Sequence, residues 1–240
     1  MDRNPVQNIV ILTGAGVSAE SGLATFRGPD GLWEGHRVED VATPEAFRRD
    51  PALVHAFYDA RRARLATVAP NAAHRALARL DAEWRGELSL VTQNVDDLHE
   101  RAGSKRLLHM HGELTKGWCL ACDERFGWTG PMGLKAICPG CGEQDQVRPD
   151  IVWFGEMPYG MERIDHALQR CDLFVSIGTS GAVYPAAGFV QTAHYCGART
   201  LEINLEPSLG STMFDESRIG RAGELVPEWV EEILELTAGN

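Results

Sequence analysis

Four cysteines carry the most specific chemical signal in this sequence: Cys119, Cys122, Cys138 and Cys141. They form two Cys-x-x-Cys pairs with fifteen residues between them, a spacing typical of tetrahedral zinc sites. Four thiolates leave no position open for water or substrate, so we predict a structural zinc. A redox role is the weaker alternative, because thiol exchange does not need two copies of the motif. We interpret Cys171 and Cys196 as packed core thiols.

A glycine-rich run near the N-terminus has the pattern of a phosphate-binding loop. Residues Gly14 to Ala19 read Gly-x-Gly-x-x-Ala and lie between a predicted strand and a predicted helix. Bare backbone lets a pyrophosphate approach the helix N-terminus, whose dipole favours anions. The motif alone also fits a tight strand-to-helix turn.

The residues after the glycine run disfavour hydride transfer. A dehydrogenase of this type carries a second strand that ends in an acidic residue about 20 residues further on. Here that interval holds Phe26 to Thr43, which is rich in Gly, Asp and Trp and shows no clear period. We interpret this segment as a long functional loop.

Short apolar runs alternate with helical patterns along most of the chain. The predicted strands are Asn8 to Gly14, Leu88 to Asn94, Leu173 to Ser180 and Thr200 to Glu206. The predicted helices are Pro51 to Val68, Asn71 to Trp84, Met161 to Cys171, Pro185 to Cys196 and Pro227 to Leu236. The alternation predicts an α/β fold with a doubly wound parallel sheet. Ligands bind at the carboxyl ends of such strands. The residues that fall there are Gly14, Gln93, Asn94, Gly178, Thr179 and Asn204.

Composition limits the classes of partner. The 240 residues carry a formal net charge of -11, which disfavours general binding to nucleic-acid phosphates. No apolar run approaches the roughly 20 residues that span a bilayer, and Met1 to Gln7 shows no secretion signal. We therefore expect a cytoplasmic protein with reduced cysteines that binds no membrane, and we expect it to be a monomer.

Separated motifs resemble the sirtuin family, in the order in which that family carries them. The run Gly14 to Gly22, followed by Thr25-Phe26-Arg27-Gly28, is similar to the family's opening motif. The further matches are Thr92-Gln93-Asn94-Val95-Asp96, His111-Gly112, Arg148-Pro149, Val152 to Glu156, Gly178-Thr179-Ser180, Pro185-Ala186-Ala187 and Asn204. The resemblance extends from about Asn8 to about Leu236. Met110 and Glu113 are similar to the bacterial, CobB-type branch.

The resemblance implies an NAD-dependent protein-lysine deacylase with structural zinc. Its implied organisation is a Rossmann-type NAD-binding domain of residues 1–111 and 149–240, with a small zinc-ribbon module at 112–148. Part of 26–70 would form helical cover and a cofactor loop. In the family scheme the acyl oxygen attacks the nicotinamide ribose and the acyl group moves to a ribose hydroxyl. Nicotinamide, free lysine and O-acyl-ADP-ribose are the implied products.

The resemblance also implies residue roles. His111 would be the general base, because an imidazole of pKa about 6.5 accepts a proton near neutral pH. Asn94 and Asp96 would act beside it on the nicotinamide ribose and carboxamide. The implied NAD contacts are Gly14, Ala15, Gly16, Ser18, Glu20, Phe26, Arg27, Trp33, Gln93, Asn94, Asp96, Gly178, Thr179, Ser180, Asn204, Glu206 and Ala222. The implied substrate contacts are Tyr58, Arg61, Val152, Trp153, Phe154, Gly155 and Glu156.

Two of these assignments have alternatives in the sequence itself. His109 is a second candidate base, because residues i and i+2 of an extended segment share a face. Asn94 or Asp96 could instead cap the following helix.

The Tyr58 and Arg61 pair bears on the acyl group. The two residues stand three apart in a predicted helix and so share a face. In class III sirtuins a Tyr-x-x-Arg at this place binds the carboxylate of succinyl- and malonyl-lysine. The resemblance therefore implies desuccinylation beside deacetylation. A core tyrosine next to a solvated arginine is the alternative.

Two other function classes use similar parts. A zinc-ribbon module could bind acylated lysine without turning it over, although the set of Asn94, Asp96 and His111 argues against it. An ADP-ribosyltransferase could use the same NAD pocket with a protein nucleophile. Acylated-lysine proteins are the expected partners in the favoured interpretation.

Overall fold

The computed structural model describes residues 6–25 and 33–238. The strands are β1 (Asn8–Thr13), β2 (Glu87–Thr92), β3 (Leu107–His109), β4 (Gly112–Cys119), β5 (Arg125–Gly127), β6 (Val147–Ile151), β7 (Leu173–Ile177), β8 (Arg199–Asn204) and β9 (Glu216–Ile219). The α-helices are α1 (Ala15–Ala19), α2 (Val38–Val41), α3 (Pro44–Arg49), α4 (Pro51–Leu65), α5 (Ala72–Glu83), α6 (Leu98–Ala102), α7 (Met161–Leu168), α8 (Phe189–Tyr195) and α9 (Ala222–Ala238). Short 3-10 helices span Ala186–Gly188 and Ser211–Met213.

Within these residues, six strands form a parallel sheet in the order β3-β2-β1-β7-β8-β9. The chain runs outward from β1 through β2 to β3, then returns to the other side of β1 with β7. The point where the strand order reverses lies between β1 and β7. In open parallel sheets such a point opens a crevice at the carboxyl ends of the strands.

Helices cover both faces of the sheet, which confirms the predicted doubly wound α/β fold. On one face α5 and α9 pack through Leu77, Leu80 and Trp229 against strand residues such as Ile11. The other face is covered by α7 and α8. The central strands β1, β7 and β8 are buried on both faces, which is why they read as continuous apolar runs rather than alternating ones.

The second sheet is small and antiparallel, in the order β5-β4-β6. It has a core of its own made of Cys119, Met132, Ala136, Cys138 and Val147, with Phe126 and Trp128 packed against it. The division into residues 1–111 with 149–240 and residues 112–148 stays a prediction.

A buried ion pair ties α4 to this small sheet. The Arg62 guanidinium contacts Asp59 at 2.6 Å and donates to the Leu114 carbonyl at 2.8 Å. Asp59 also accepts the amides of Met132 and Gly133 at 2.7 and 3.1 Å. Arg62 is buried where α4 packs against β4 and β6 of the small sheet.

Most predicted elements are observed, with shifts at their ends. The predicted loop Phe26 to Thr43 is wrong in its second half, where α2 and a bridge between Trp33 and His36 form. The short strands β3 and β9 have no counterpart in the sequence interpretation, because three or four residues are too few to show a period. Cys171 is a buried thiol as predicted, but Cys196 is exposed because it follows the last turn of α8.

In the described part of the chain, no helix combines the length and apolar character needed to cross a bilayer.

We predict that Asp59→Ala lowers the free energy of unfolding by about 2–3 kcal/mol, because Arg62 keeps its buried charge without its carboxylate partner. Denaturant unfolding measures the loss. Glu45→Ala is the matched control, since the Glu45–Arg48 pair is mostly exposed and such pairs contribute about 0.5 kcal/mol or less. Equal, small effects of the two substitutions would contradict the tie between α4 and the small sheet.

Candidate active site

A cleft of about 1390 Å³ opens at the carboxyl ends of the parallel strands. Every predicted catalytic, cofactor and substrate residue that the structure describes lies on its wall. The cleft extends from the β1–β7 crevice to α4 and the segment after β6. Phe26 and Arg27 are outside the described residues. The tertiary structure thus brings distant motifs to one surface.

Backbone packing forms the floor of the cleft. The Gly16 amide donates to the Gly178 carbonyl at 2.8 Å, across the β1–β7 crevice. A Cβ added to Gly16 would lie 2.7 Å from the Gly178 Cα, and one added to Gly14 would lie 2.8 Å from the Gly178 oxygen. Gly178 itself has φ of +63°. Glycine is therefore needed at these positions because the two loops pack too closely for a Cβ, whether or not a ligand is bound.

The helix after the glycine run is shorter than the phosphate-binding pattern predicts. It covers only Ala15–Ala19, and its Val17 amide donates to the Gly14 carbonyl at 3.1 Å. A single helical turn carries a small dipole, because the macrodipole grows from aligned peptide units. An anion at this loop would therefore be bound by the exposed backbone more than by a helix dipole.

Asn94, Ser18 and Asp96 form a buried hydrogen-bond network beside the loop. The Asn94 side-chain amide donates to the Gly14 carbonyl and to the Ser18 hydroxyl, both at 3.1 Å. Ser18 donates to Asp96 Oδ2 at 2.9 Å. Asp96 Oδ1 accepts the Leu98 amide at 3.1 Å, so Asp96 does contact the start of α6 as the capping alternative proposed. Burial raises the pKa of Asp96.

His74 extends this network and was missed in the sequence interpretation. Its Nδ1 accepts the Asn71 amide at 3.3 Å in a capping box at the start of α5. Nε2 therefore carries the proton and faces the Ser18 hydroxyl at 3.4 Å. Burial lowers the pKa of His74 to about 4, so the ring is neutral at neutral pH. The Asn-x-x-His spacing before an apolar helix is the signal that indicates this residue.

His111 and His109 differ in what their ring nitrogens contact. His111 Nδ1 lies 3.1 Å from the Gln93 carbonyl and must donate to it, which leaves Nε2 as the acceptor nitrogen. His109 lies 3.0 Å from the Asn94 carbonyl through Nδ1 and 2.6 Å from Glu100 through Nε2. Both nitrogens of His109 are engaged, while His111 lines the cleft.

The two rings also differ in their protonation. Burial lowers the pKa of His111, and its hydrogen bond to Gln93 only partly offsets this. Burial acts in the same direction on His109, but the Glu100 carboxylate outweighs it and raises the pKa. His111 is therefore the ring that can accept a proton at neutral pH.

The far end of the cleft lies over β7 and β8. Asn204 donates to the Thr179 carbonyl at 2.8 Å, and Gln93 donates to the Thr179 hydroxyl at 3.1 Å. Glu20 accepts the Gly223 amide at 2.8 Å and so holds the start of α9, beside Ala222, against the loop after β1. These bonds fix the polar groups of this end in place.

The opposite end of the cleft contains the Tyr58–Arg61 pair of α4. The Tyr58 hydroxyl accepts from Trp153 Nε1 at 2.9 Å, so it keeps its own hydrogen for an acceptor. Arg61 stacks on the Trp33 ring at 4.2 Å and lies 3.1 Å from Glu34. Burial lowers the pKa of Arg61, and Glu34 opposes this. Arg61 is not the solvated residue of the alternative.

The segment Val152 to Glu156 is attached to the rest of the cleft by its backbone. The Val152 amide donates to the His111 carbonyl at 2.9 Å, and the Phe154 amide donates to the Ala42 carbonyl at 3.0 Å. Glu156 pairs with Arg148 at 2.6 Å and accepts the Trp153 amide at 2.8 Å. The Glu156 carboxylate thus stabilises the turn of residues 153–156.

The four cysteines of the small sheet fit a zinc ion. The Sγ atoms of Cys119 and Cys141 are 3.7 Å apart, and those of Cys122 and Cys138 are 3.6 Å apart. All four sulfur atoms lie within 4.8 Å of one another. Tetrahedral zinc with bonds of about 2.3 Å separates its thiolates by roughly 3.8 Å. The predicted set is therefore confirmed as a consistent ligand shell.

The cleft also fits a dinucleotide. Its volume exceeds the roughly 300–1000 Å³ of ordinary small-molecule pockets, which leaves room for a second substrate. The bare backbone of Gly14 to Gly16 is hydrogen-bonded both to Asn94 and to Gly178, and Asn204 is bonded to the neighbouring Thr179. A dinucleotide bound across the crevice would reach both ends.

A family model described as the Sir2 family matches residues 14–185. An NAD-dependent protein deacylase of Shewanella oneidensis is 58% identical over 230 residues, 95% of either chain. One of Bdellovibrio bacteriovorus is 58% identical over 237 residues, 98% of this chain and 100% of the relative.

Solved structures of similar proteins superpose over almost the whole chain. A mutant Sir2 homologue in complex with ADP-ribose has a TM-score of 0.89 at 39% identity and covers 98% of this chain and 95% of its own. A Sir2 homologue in complex with NAD gives 0.87 at 39% identity, with 96% and 90% covered. Sir2Af2 bound to a myristoylated histone peptide gives 0.76 at 33% identity, with 98% and 94% covered.

We predict that Cys138→Ser lowers zinc content well below one ion per chain and reduces thermal stability, because the small sheet loses a ligand of its metal. Metal release with a colorimetric chelator and a melting curve measure the two effects. Cys196→Ser is the matched control, since Cys196 is exposed and outside the cluster. Full zinc content in Cys138→Ser would contradict the assignment.

Proposed function

We propose a function that starts from one fact: this chain belongs to the Sir2 family. The proposed function is that of an NAD-dependent protein-lysine deacylase that removes acetyl, succinyl and malonyl groups. The products are nicotinamide, free lysine and O-acyl-ADP-ribose. One observation carries the proposal. His111 presents an unprotonated Nε2 to the cleft, next to the buried Asn94–Ser18–Asp96 network and the glycine loop. NAD and zinc are the cofactors that the cleft and the cysteines fit.

NAD supplies a ribose carbon that loses nicotinamide and a ribose hydroxyl that receives the acyl group. The part of His111 is to take the proton of that hydroxyl at Nε2. The Gln93 carbonyl holds Nδ1–H and so fixes both the tautomer and the ring orientation. A lowered pKa keeps the ring neutral, which is the state that a base needs.

Asn94 and Asp96 orient the nicotinamide end of the dinucleotide. The Asn94 side-chain amide is held by Gly14 and Ser18, so its oxygen has one direction. Each carboxylate oxygen of Asp96 keeps a lone pair beyond the bonds to Leu98 and Ser18. Fixed donors and acceptors of this kind cost no reorganisation when the ligand reacts.

Residues Val152 to Glu156 and the adjoining cleft wall bind the substrate chain. Sir2Af2 carries a histone peptide and a second Sir2 structure carries an acetylated peptide, and both superpose on this fold. Val152 lies next to His111 through the backbone bond, which places the peptide wall beside the base. Glu156 positions this wall through its ion pair with Arg148.

Arg61 selects among acyl groups. A buried guanidinium beside a tyrosine hydroxyl offers charge-assisted hydrogen bonds to a terminal carboxylate. Each such bond is worth about 1.5–3 kcal/mol. That gives a preference of roughly ten- to hundred-fold, which leaves deacetylation possible.

The proposal also covers the location of the enzyme, its oligomeric state and its partners. We propose that the enzyme works in the cytoplasm as a monomer, on acylated proteins and without general nucleic-acid binding, since its net charge is -11. An acyl-lysine reader would release no nicotinamide. An ADP-ribosyltransferase would label protein from NAD without forming O-acyl-ADP-ribose. Product analysis with one acetylated peptide separates all three classes.

We predict that His111→Ala lowers kcat/KM for NAD-dependent deacylation by about 10²- to 10⁴-fold, the usual contribution of a positioned base. In the unsubstituted enzyme, protonation of His111 removes the base and causes the acid limb of the kcat/KM profile. Because burial lowers the pKa of His111, this limb lies at a pH below the ordinary imidazole value of about 6.5. Nicotinamide release from pH 5 to 9 measures both. His194→Ala, on the exposed side of α8, is the control. Turnover that survives His111→Ala but not His109→Gln would move the base to His109.

We predict that Arg61→Met lowers kcat/KM for succinyl-lysine peptides about ten- to hundred-fold more than for acetyl-lysine peptides, because only the succinyl group loses a charge partner. The same peptide sequence with either acyl group provides the measurement. Arg49→Met, at an exposed position of α3 outside the cleft, serves as the control. Parallel losses on both peptides would refute the carboxylate role of Arg61.

A further inference from the structure

The guanidinium of Arg61 is buried and has few hydrogen-bond acceptors near it. Its side chain is 14% exposed, with the guanidinium 4.2 Å from the Trp33 ring and 5.6 Å from the Phe57 ring. Among the described residues, its buried Nε and NH1 find no hydrogen-bond acceptor. A buried guanidinium without a counter-charge is costly, so the carboxylate that approaches it decides much of its behaviour.

That carboxylate belongs to Glu34, whose Oε1 lies 3.1 Å from Arg61 NH1. The distance is that of an ion pair, but the orientation is not that of a hydrogen bond. The guanidinium therefore keeps directed donors for another acceptor. The Glu34 side chain is 33% exposed, so it can leave toward water when a better acceptor arrives.

A tight turn holds Glu34 in this position. Trp33 and His36 exchange backbone hydrogen bonds of 2.8 and 3.1 Å. The two residues between them, Glu34 and Gly35, have φ of +48° and +81°, as a type I′ turn requires. A glutamate is uncommon at positive φ, where Gly or Asn is preferred. Despite this backbone strain, the turn places the Glu34 carboxylate at the end of the cleft that contains Arg61.

We propose that Glu34 is an internal occupant of the acyl-carboxylate site and that it sets the acyl selectivity of the enzyme. The inference rests on the proposed deacylase function. When the acyl group is acetyl, Glu34 stays and keeps Arg61 paired. When it is succinyl or malonyl, the substrate carboxylate displaces Glu34 and takes over the directed donors of Arg61. One carboxylate replaces another, so the gain for an acidic acyl group is smaller than that of a newly formed pair.

The alternative role for Glu34 gives the opposite result. If its charge only holds Arg61 in the orientation that binds succinyl-lysine, its loss weakens binding of the acidic acyl group. Displacement predicts the reverse, because removing the internal competitor frees the site. The sign of the change in KM therefore separates the two roles.

The test is Glu34→Gln, which keeps the length and planar shape of the side chain and removes its charge. We expect the KM for a succinyl-lysine peptide to fall about fivefold with kcat little changed, the effect of losing one partly exposed ion pair. The KM for the matching acetyl-lysine peptide does not fall. Glu39→Gln makes the same change of net charge at an exposed position five residues away and leaves both values unchanged. A succinyl KM that rises or stays constant in Glu34→Gln overturns the proposal.

A binding measurement separates this inference from the proposed function. Fluorescence anisotropy with a labelled succinyl-lysine peptide, without NAD, reports the Kd independently of turnover. Tighter binding to Glu34→Gln than to the unsubstituted protein supports displacement even if no acyl group is removed. Failure to release nicotinamide with every acylated peptide would refute the deacylase function alone. Unchanged or weaker peptide binding in Glu34→Gln would refute displacement alone.

Discussion

The contact between two bare backbones, at Gly16 and Gly178, is the constraint on which the rest of the site depends. Their hydrogen bond of 2.8 Å draws the loops after β1 and β7 together where the strand order reverses. Any Cβ at either position would overlap the facing backbone. Because the parallel strands all end at this edge, residues from the loops after β1, β2, β7 and β8 share one cleft.

Burial then decides which polar groups in the cleft are reactive. His109 and His111 are two residues apart, but one ring contacts Glu100 and the other leaves a nitrogen toward the cleft. The same desolvation that lowers the pKa of His111 is outweighed at His109 by a carboxylate. His74 is kept neutral and fixes the hydrogen-bond direction of the Asn94–Ser18–Asp96 network. Packing thus sets the protonation of these rings and the direction of their hydrogen bonds.

The helix α4 connects the cleft to the small sheet that carries the four cysteines. One side of it holds Tyr58 and Arg61 at the cleft, and another holds Asp59 and Arg62 against the small sheet. A metal bound by the four cysteines would therefore act on the cleft at a distance. It would stabilise the small sheet, against which α4 packs, and α4 carries Tyr58 and Arg61 at the cleft. Four thiolates would fill the coordination shell of a zinc ion, so the role of the ion would be structural.

The sequence by itself determined the parallel sheet and the zinc ligands, because short-range spacing and apolar periodicity depend only on neighbours along the chain. Most residues of the cleft were indicated by the resemblance to a known family. The sequence left the choice between His109 and His111 open and did not indicate Glu34. Only the tertiary structure separated the two histidines, buried Arg61 and Arg62, and turned Glu34 toward the cleft. Each of these depends on contacts between segments far apart in sequence, and desolvation and charge pairing are properties of such contacts.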